Sequence, residues 1–201
     1  VRRLLLRKRE DDTPDAIKKR LGLYHQRTEL LINEIQKDTK VVRVNGERTI
    51  EEIQTDLVKI VEDIKNAKKS ILMEYFIWRS DELGEQIKNL LLEKAKQGLE
   101  IKLLFDGLGS MGTISKKYRK ELSEVGVEFR YFLDIKFSIL KFNYRNHRKM
   151  TIIDHKILHT GGMNLGEEYI TGGKKFETWR DTNARIEGEI VNQYLTIFFT
   201  D

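Results

Sequence analysis

The strongest constraint on this chain is an alternation that begins at Thr49: a helical pattern, then a buried strand, three times over. Ile50, Ile53, Leu57, Ile60, Ile64 and Ala67 recur at the spacing of one helix face, behind Thr49 as its cap. Ser70 to Trp78 is then almost continuously apolar, with Glu74 inside it, as a strand covered on both faces should be. Asp81 to Gln97 reads as a helix ended by Gly98, and Ile101 to Phe105 as a second buried strand. A helix from Ser115 to Val125, stopped by Gly126, and a strand from Val127 to Phe132 complete the third pair. Such an order predicts an α/β domain with a mostly parallel sheet flanked by helices, over residues 49–201.

Past residue 132 the rhythm changes. Lys149 to Ile153 and Ile157 to Thr160, joined by Asp154-His155-Lys156, predict a hairpin of short strands. Thr182 to Ile186 reads as one more strand and Ile190 to Phe199 as a closing helix. Upstream, Asp11-Asp12-Thr13 ahead of Pro14 is a helix start, followed by Ile17, Leu21, Tyr24, Leu31 and Ile35 at helical spacing. Lys40 to Val44 reads as a short strand closed by the turn Asn45-Gly46. Residues 1–48 are therefore expected as an appended helix and strand.

With 39% hydrophobic residues over 201 positions, the chain can bury a sizeable core. The absence of cysteine excludes disulfides and thiolate zinc sites. Lys and Arg number 37 against 32 Asp and Glu, a net charge of +5 that suits a phosphate-bearing partner without requiring one. No run of 18 apolar residues reads as a membrane span. The first residues, Val-Arg-Arg-Leu-Leu-Leu, lack an initiator Met and are too short an apolar run for a signal peptide, so both ends are expected to be cut.

The chemistry lies in Asn146-His147-Arg148-Lys149-Met150-Thr151-Ile152-Ile153-Asp154, followed by Gly161-Gly162-Met163-Asn164. The pattern is His-x-Lys-x4-Asp-x6-Gly-Gly-x-Asn. Two residues apart on a strand, His147 and Lys149 share a face, which sets an imidazole beside a fixed positive charge. Gly161 and Gly162 permit close backbone approach, and Asn164 adds an amide donor. Imidazole, ammonium and amide converging on one point suit a phosphate: one group attacks and two hold oxygens.

This motif resembles that of the phospholipase D superfamily, and its surroundings resemble the bacterial cardiolipin synthases. The segments that carry the likeness are Ile71 to Trp78, Leu103 to Ser110, Asn143 to Lys149, Asn164 to Tyr169, and Trp179-Arg180-Asp181-Thr182. It runs from about Val61 to Asp201 and corresponds to the first, N-terminal, of the two catalytic halves those enzymes carry. The resemblance implies a phospholipase D-like sheet flanked by helices. It also implies that His147 attacks a phosphodiester to form a phosphohistidine, while Lys149 and Asn164 hold the phosphate oxygens. Asp154 completes the catalytic motif, mainly as a structural partner of its loop. Asp181 would accept a proton from the far ring nitrogen of His147 and fix its tautomer. Neither a metal nor a cofactor is expected.

The family implies phosphatidyl transfer, with phosphatidylglycerol as donor and acceptor in cardiolipin synthesis. It also implies a second motif whose His protonates the leaving alcohol. Only His25, His155 and His159 remain, and none is followed by Lys and Asp at the motif's offsets. The second half is therefore expected from homodimerisation or from a missing C-terminal domain. Two alternatives stand beside this reading: a homodimeric nuclease-like phosphodiesterase, with nucleic acid ranked below lipid, and an inactive phosphate-binding fragment. Family members are bacterial and membrane-associated; without an apolar span this chain is expected to be soluble or peripheral. Phe132 to Phe142, aromatic and aliphatic residues interleaved with Lys, fits either a lipid interface or the continuation of a core strand. Lys116, Lys117, Lys174 and Lys175 read as a solvated face.

Residues 1–61 resemble something else, the C-terminal end of an adenylate kinase. The carriers are Arg9-Glu10-Asp11-Asp12, Lys19-Arg20-Leu21, Tyr24-His25, Thr28, Leu31-Ile32 and the stretch Val41 to Ile60. In that family the residues matching Arg9 and Arg20 reach nucleotide phosphates. The phosphate loop G-x-x-x-x-G-K is absent from the sequence, so nothing cradles ATP and kinase activity is not expected. Arg9 and Arg20 are read as a solvated helix face.

Overall fold

A computed structural model describes residues 13–38, 50–132, 145–171 and 181–201. It divides into two units, Val1–Asn45 and Gly46–Asp201. In the first, α1 (Pro14–Leu23) passes through one π-helical turn (Tyr24–Thr28) into α2 (Glu29–Asp38). Thr13 caps α1, its hydroxyl accepting from the Ala16 amide at 3.2 Å, and Pro14 stands at the first helical position where its missing N–H costs nothing. The strand expected over 40–44 lies outside the described residues.

The second unit runs α3 (Ile50–Asn66), β1 (Ser70–Tyr75), α4 (Glu82–Lys96), β2 (Glu100–Asp106), α5 (Lys116–Glu124), β3 (Glu128–Phe132), β4 (Met150–Ile153), β5 (Ile157–Gly161), α6 (Glu168–Thr171), β6 (Asn183–Glu187) and α7 (Ile190–Thr200). Gly98 and Gly126, at φ 88° and 85°, follow the ends of α4 and α5 in the left-handed conformation that side chains resist. The strands form one sheet in the order β3-β2-β1-β4-β5-β6.

The sheet is mixed, which corrects the mostly parallel expectation. β1 pairs with β2, and β2 with β3, in parallel, whereas β1–β4, β4–β5 and β5–β6 are antiparallel. The reason is local at β4–β5: Asp154 and His155 take φ of 53° and 58°, the left-handed pair of a two-residue hairpin turn, and Lys156 N bonds back to Ile153 O at 2.9 Å. Helices cover both faces. Ile71, Met73 and Tyr75 pack beneath α3, α4 and α5, among Ile60, Ile64, Ile87 and Leu122. The alternate residue Leu72 faces the other way, into a cluster with Leu104, Met150, Ile152 and the α7 residues Val191 and Phe198. By the same alternation Glu74 belongs to the α7 face.

β1 stops at Tyr75, three residues before the sequence suggests. Phe76, Ile77 and Trp78 leave the sheet, and Trp78 bridges to Leu165 instead. Its indole N–H donates to the Tyr118 hydroxyl at 2.9 Å, which donates to Gly84 O at 2.7 Å. A buried Trp needs such a partner. This departure from the sheet creates the floor on which the site is built.

Candidate active site

β4 runs antiparallel to β1, with Met150 opposite Glu74, so the residues just before β4 arrive where β1 ends. His147 and Lys149 therefore stand above Phe76. The rings of Phe76 and His147 lie 4.8 Å apart, and Lys149 Nζ sits 5.6 Å from the Phe76 centroid. One residue on, the Ile77 amide donates to Asn164 Oδ1 at 3.0 Å; the Asn164 amide also bonds the Tyr169 hydroxyl. Leu165 N in turn reaches Ile77 O at 3.1 Å. Thus Phe76 and Ile77 gather His147, Lys149 and Asn164 around one end of β1, as the spacing of the motif predicts.

Lys149 is 3% exposed, yet its ammonium bonds only locally among the contacts shown here: to His147 Nδ1 at 2.9 Å and to His147 O at 2.7 Å. Burial holds Lys149 down to about 8, against the opposing pull of Asp181. His147 is lowered as well, first by burial and then by the Lys149 charge, while Asp106 and Asp181 push it the other way. The imidazole is accordingly neutral at neutral pH. Because Nδ1 accepts from Lys149, the ring proton of that neutral form sits on Nε2.

Asp181 reaches this site from the start of β6. Gly162 N bonds Thr182 O at 3.0 Å, and a Cβ at Gly162 would overlap the Asp181 carboxylate. A Cβ at Gly161 would likewise overlap Thr182 O and Asn183. The two glycines thus let β6 and Asp181 come close, rather than a ligand.

Asp154 is placed elsewhere. It lies five residues beyond Lys149 along β4, roughly 17 Å at about 3.4 Å per residue. There its carboxylate accepts from three successive amides, Lys68, Lys69 and Ser70, at 2.7 to 3.1 Å. Burial would raise its pKa, but those amides outweigh burial and hold it below the usual carboxylate value. These bonds tie Asp154 to the segment between α3 and β1, away from His147 and Lys149, in keeping with the mainly structural part expected of it in the motif.

Sequence reasoning passed over the supports. Asp106 ends β2 with both oxygens used: Oδ1 accepts from Leu108 N and Gly109 N at 2.9 Å each, and Oδ2 from Asn146 N at 3.2 Å. It ties the segment ahead of β4 to the sheet. Glu74, Asn146, Arg148 and Asp201 form a second support beneath His147. A carboxylate inside an otherwise apolar strand was the available signal for Glu74; Asp201, 127 positions later, carried none.

A family model described as the phospholipase D-like domain of cardiolipin synthase matches residues 60–200. The chain belongs to that family. "Cardiolipin synthase 2" of Bacillus anthracis is 41% identical over 168 residues, covering 83% of this chain and 31% of the relative. "Major cardiolipin synthase ClsA" of Bacillus subtilis is 41% identical over 145 residues, covering 71% and 30%. The chain thus spans about a third of the length of the curated relatives it matches. An alignment of 168 residues leaves only 33 of 201 outside it, so the cardiolipin synthase likeness begins well before Val61 and takes in Asn45-Gly46. Among solved structures, NucT from Helicobacter pylori superposes with a TM-score of 0.58 at 15% identity, over 75% of this chain and 89% of that one. Nuc from Salmonella typhimurium, a phospholipase D family member, gives 0.56 at 18%, over 72% and 84%. Both share the fold of the phospholipase D-like unit.

Proposed function

We propose that the phospholipase D-like unit is the N-terminal catalytic half of a phosphatidyltransferase, transferring a phosphatidyl group through His147, with phosphatidylglycerol as donor and acceptor. The observation that carries this reading is the His147–Lys149 pair: an imidazole held toward its neutral form beside a buried ammonium lowered to about 8, both over the Phe76 ring and within the field of Asp181. A phosphodiester would draw Lys149 Nζ from His147 Nδ1 onto a phosphoryl oxygen, with Asn164 completing the grip. With Lys149 drawn off, the ring would exchange tautomers through solvent, Nε2 giving up its proton and Nδ1 taking one up toward Asp181, and the unprotonated Nε2 would then attack phosphorus. The N–P bond forms as the bond to the leaving alkoxide breaks, and the alkoxide takes its proton from a second His. An acceptor hydroxyl then attacks the phosphohistidine and restores the imidazole. The second His would come from another copy of this chain or from further sequence of a longer protein. No described helix is long and apolar enough to cross a membrane.

A dilution series with a chromogenic phosphodiester tests this, with His147→Ala beside it, and with anionic lipid vesicles and single-stranded DNA as competing substrates. Activity per molecule that falls on dilution, prefers vesicles and vanishes in the variant supports it. Equal activity in the variant overturns the assignment of His147, and preference for DNA overturns the lipid reading.

A further inference from the structure

Glu74 takes no part in that chemistry, yet it sits 2% exposed on the α7 face among Leu72, Leu104 and Met150. A carboxyl group is costly in such surroundings and needs a reason. Its Oε1 accepts from Asn146 Nδ2, and its Oε2 meets no donor among the described residues. The same Asn146 Nδ2 donates to Asp201 Oδ2 at 3.0 Å, so one amide is held between two carboxyl groups. Arg148 pairs with Asp201 and lies 3.5 Å from Glu74 Oε1, while its backbone N donates to Asn146 Oδ1 at 3.0 Å. His147 is the residue between Asn146 and Arg148. The clamp therefore grips the backbone on both sides of the candidate nucleophile.

We infer that Glu74 is a positioning residue which, with Asp201, holds Asn146 and Arg148 and so sets the His147 ring against Lys149. This rests on the proposed role of His147. Among the described residues the charged groups facing Glu74 are Asp201, just past the end of α7, and Arg148 beside β4; Asp106 of β2 lies beyond Asn146, and the nearest residues of β2 and β4, Leu104 and Met150, are apolar. One guanidinium faces two carboxyl groups, which disfavours the charged form of the buried Glu74. Consistent with this, burial first, and Asp201 next, raise Glu74 to about 7. Above that pH the clamp carries an extra negative charge under His147.

The test follows the His147 ring by nitrogen NMR through a pH titration of the full chain, in wild type, Glu74→Gln and Glu74→Leu, with turnover and thermal unfolding measured on the same samples. Glu74→Gln keeps the Asn146 bond and should hold turnover within about threefold. It should also erase a second inflection near 7 that the wild-type His147 signal shows. Glu74→Leu should fold as well or better, since a buried acid is gone. Nevertheless its His147 titration should return toward 6.5 and its kcat drop by about tenfold or more, as a displaced catalytic group does. A folded Glu74→Leu with unchanged titration and turnover overturns the inference. If that variant does not fold, Glu74→Gln decides alone: an inflection near 7 that persists there overturns it. Failure of the phosphatidyltransferase reading looks different, because then wild type and His147→Ala turn over equally whatever Glu74 does to the ring.

Discussion

The two ends of β4 treat their charged groups in opposite ways. At the far end, Asp154 accepts three backbone N–H bonds and its charged form is favoured. At the near end, Lys149 is buried beside an imidazole, and its charged form is disfavoured down to about 8. One short strand thus carries an anchor at one end and a poised pair at the other. Motif residues that are neighbours in sequence need not share a task. Those that stabilise and those that react can be told apart by whether the fold answers their charge.

The contrast can be broken most sharply at the near end. Lys149→Met and His147→Ala should each lose turnover by about a thousandfold or more, because they remove the phosphate grip or the nucleophile. Lys149→Met should nonetheless match or exceed wild type in urea, since a buried ammonium with no ion pair among the described residues is gone; a large loss of stability there would place Lys149 with the anchors. Asp154→Ala should behave in reverse. It orphans the amides of Lys68, Lys69 and Ser70, which should lower unfolding free energy by roughly 2–4 kcal/mol, with turnover per folded molecule nearly unchanged. Because Asp154 is held below its ordinary 3.8, its stabilisation is complete above that value and is lost as pH falls from there through the lowered value of the folded protein. The urea midpoints of wild type and Asp154→Asn should therefore converge in acid.

Smaller effects sharpen the picture. Gly162→Ala forces the Asp181 carboxylate away, removing a charge that raises His147. Its His147 titration should move further down, with about a tenfold loss of turnover. Last, the pH–rate profile should fall on the alkaline side near 8 as Lys149 loses its proton, and on the acid side below 6.5 as His147 gains one. Lys149→Arg should carry the alkaline limb upward, because a guanidinium stays charged.

Much of this was legible in the sequence. Helix–strand alternation placed β1, β2 and β3, and the offset of two put His147 and Lys149 together, because both signals are periodic and local. The hairpin sense of β4–β5 was legible in Asp154-His155. What escaped was non-local. That β4 lies beside β1 rather than at an edge depends on packing, and it turned a mostly parallel sheet into a mixed one. The clamp of Glu74, Asn146 and Asp201 joins three segments with no shared spacing. The three amides that hold Asp154, those of Lys68, Lys69 and Ser70, lie more than 80 positions away and carried no motif signal of their own, because β4 carries its two ends to opposite ends of the sheet.

The most direct measurement is to mix the protein with a phosphodiester at high concentration, quench within milliseconds to seconds, and locate any acid-labile phosphoryl group by mass spectrometry. The account predicts a phosphohistidine at His147, absent in His147→Ala and scarce in Lys149→Met. Label on His155 or His159, or turnover that continues in His147→Ala, would contradict it.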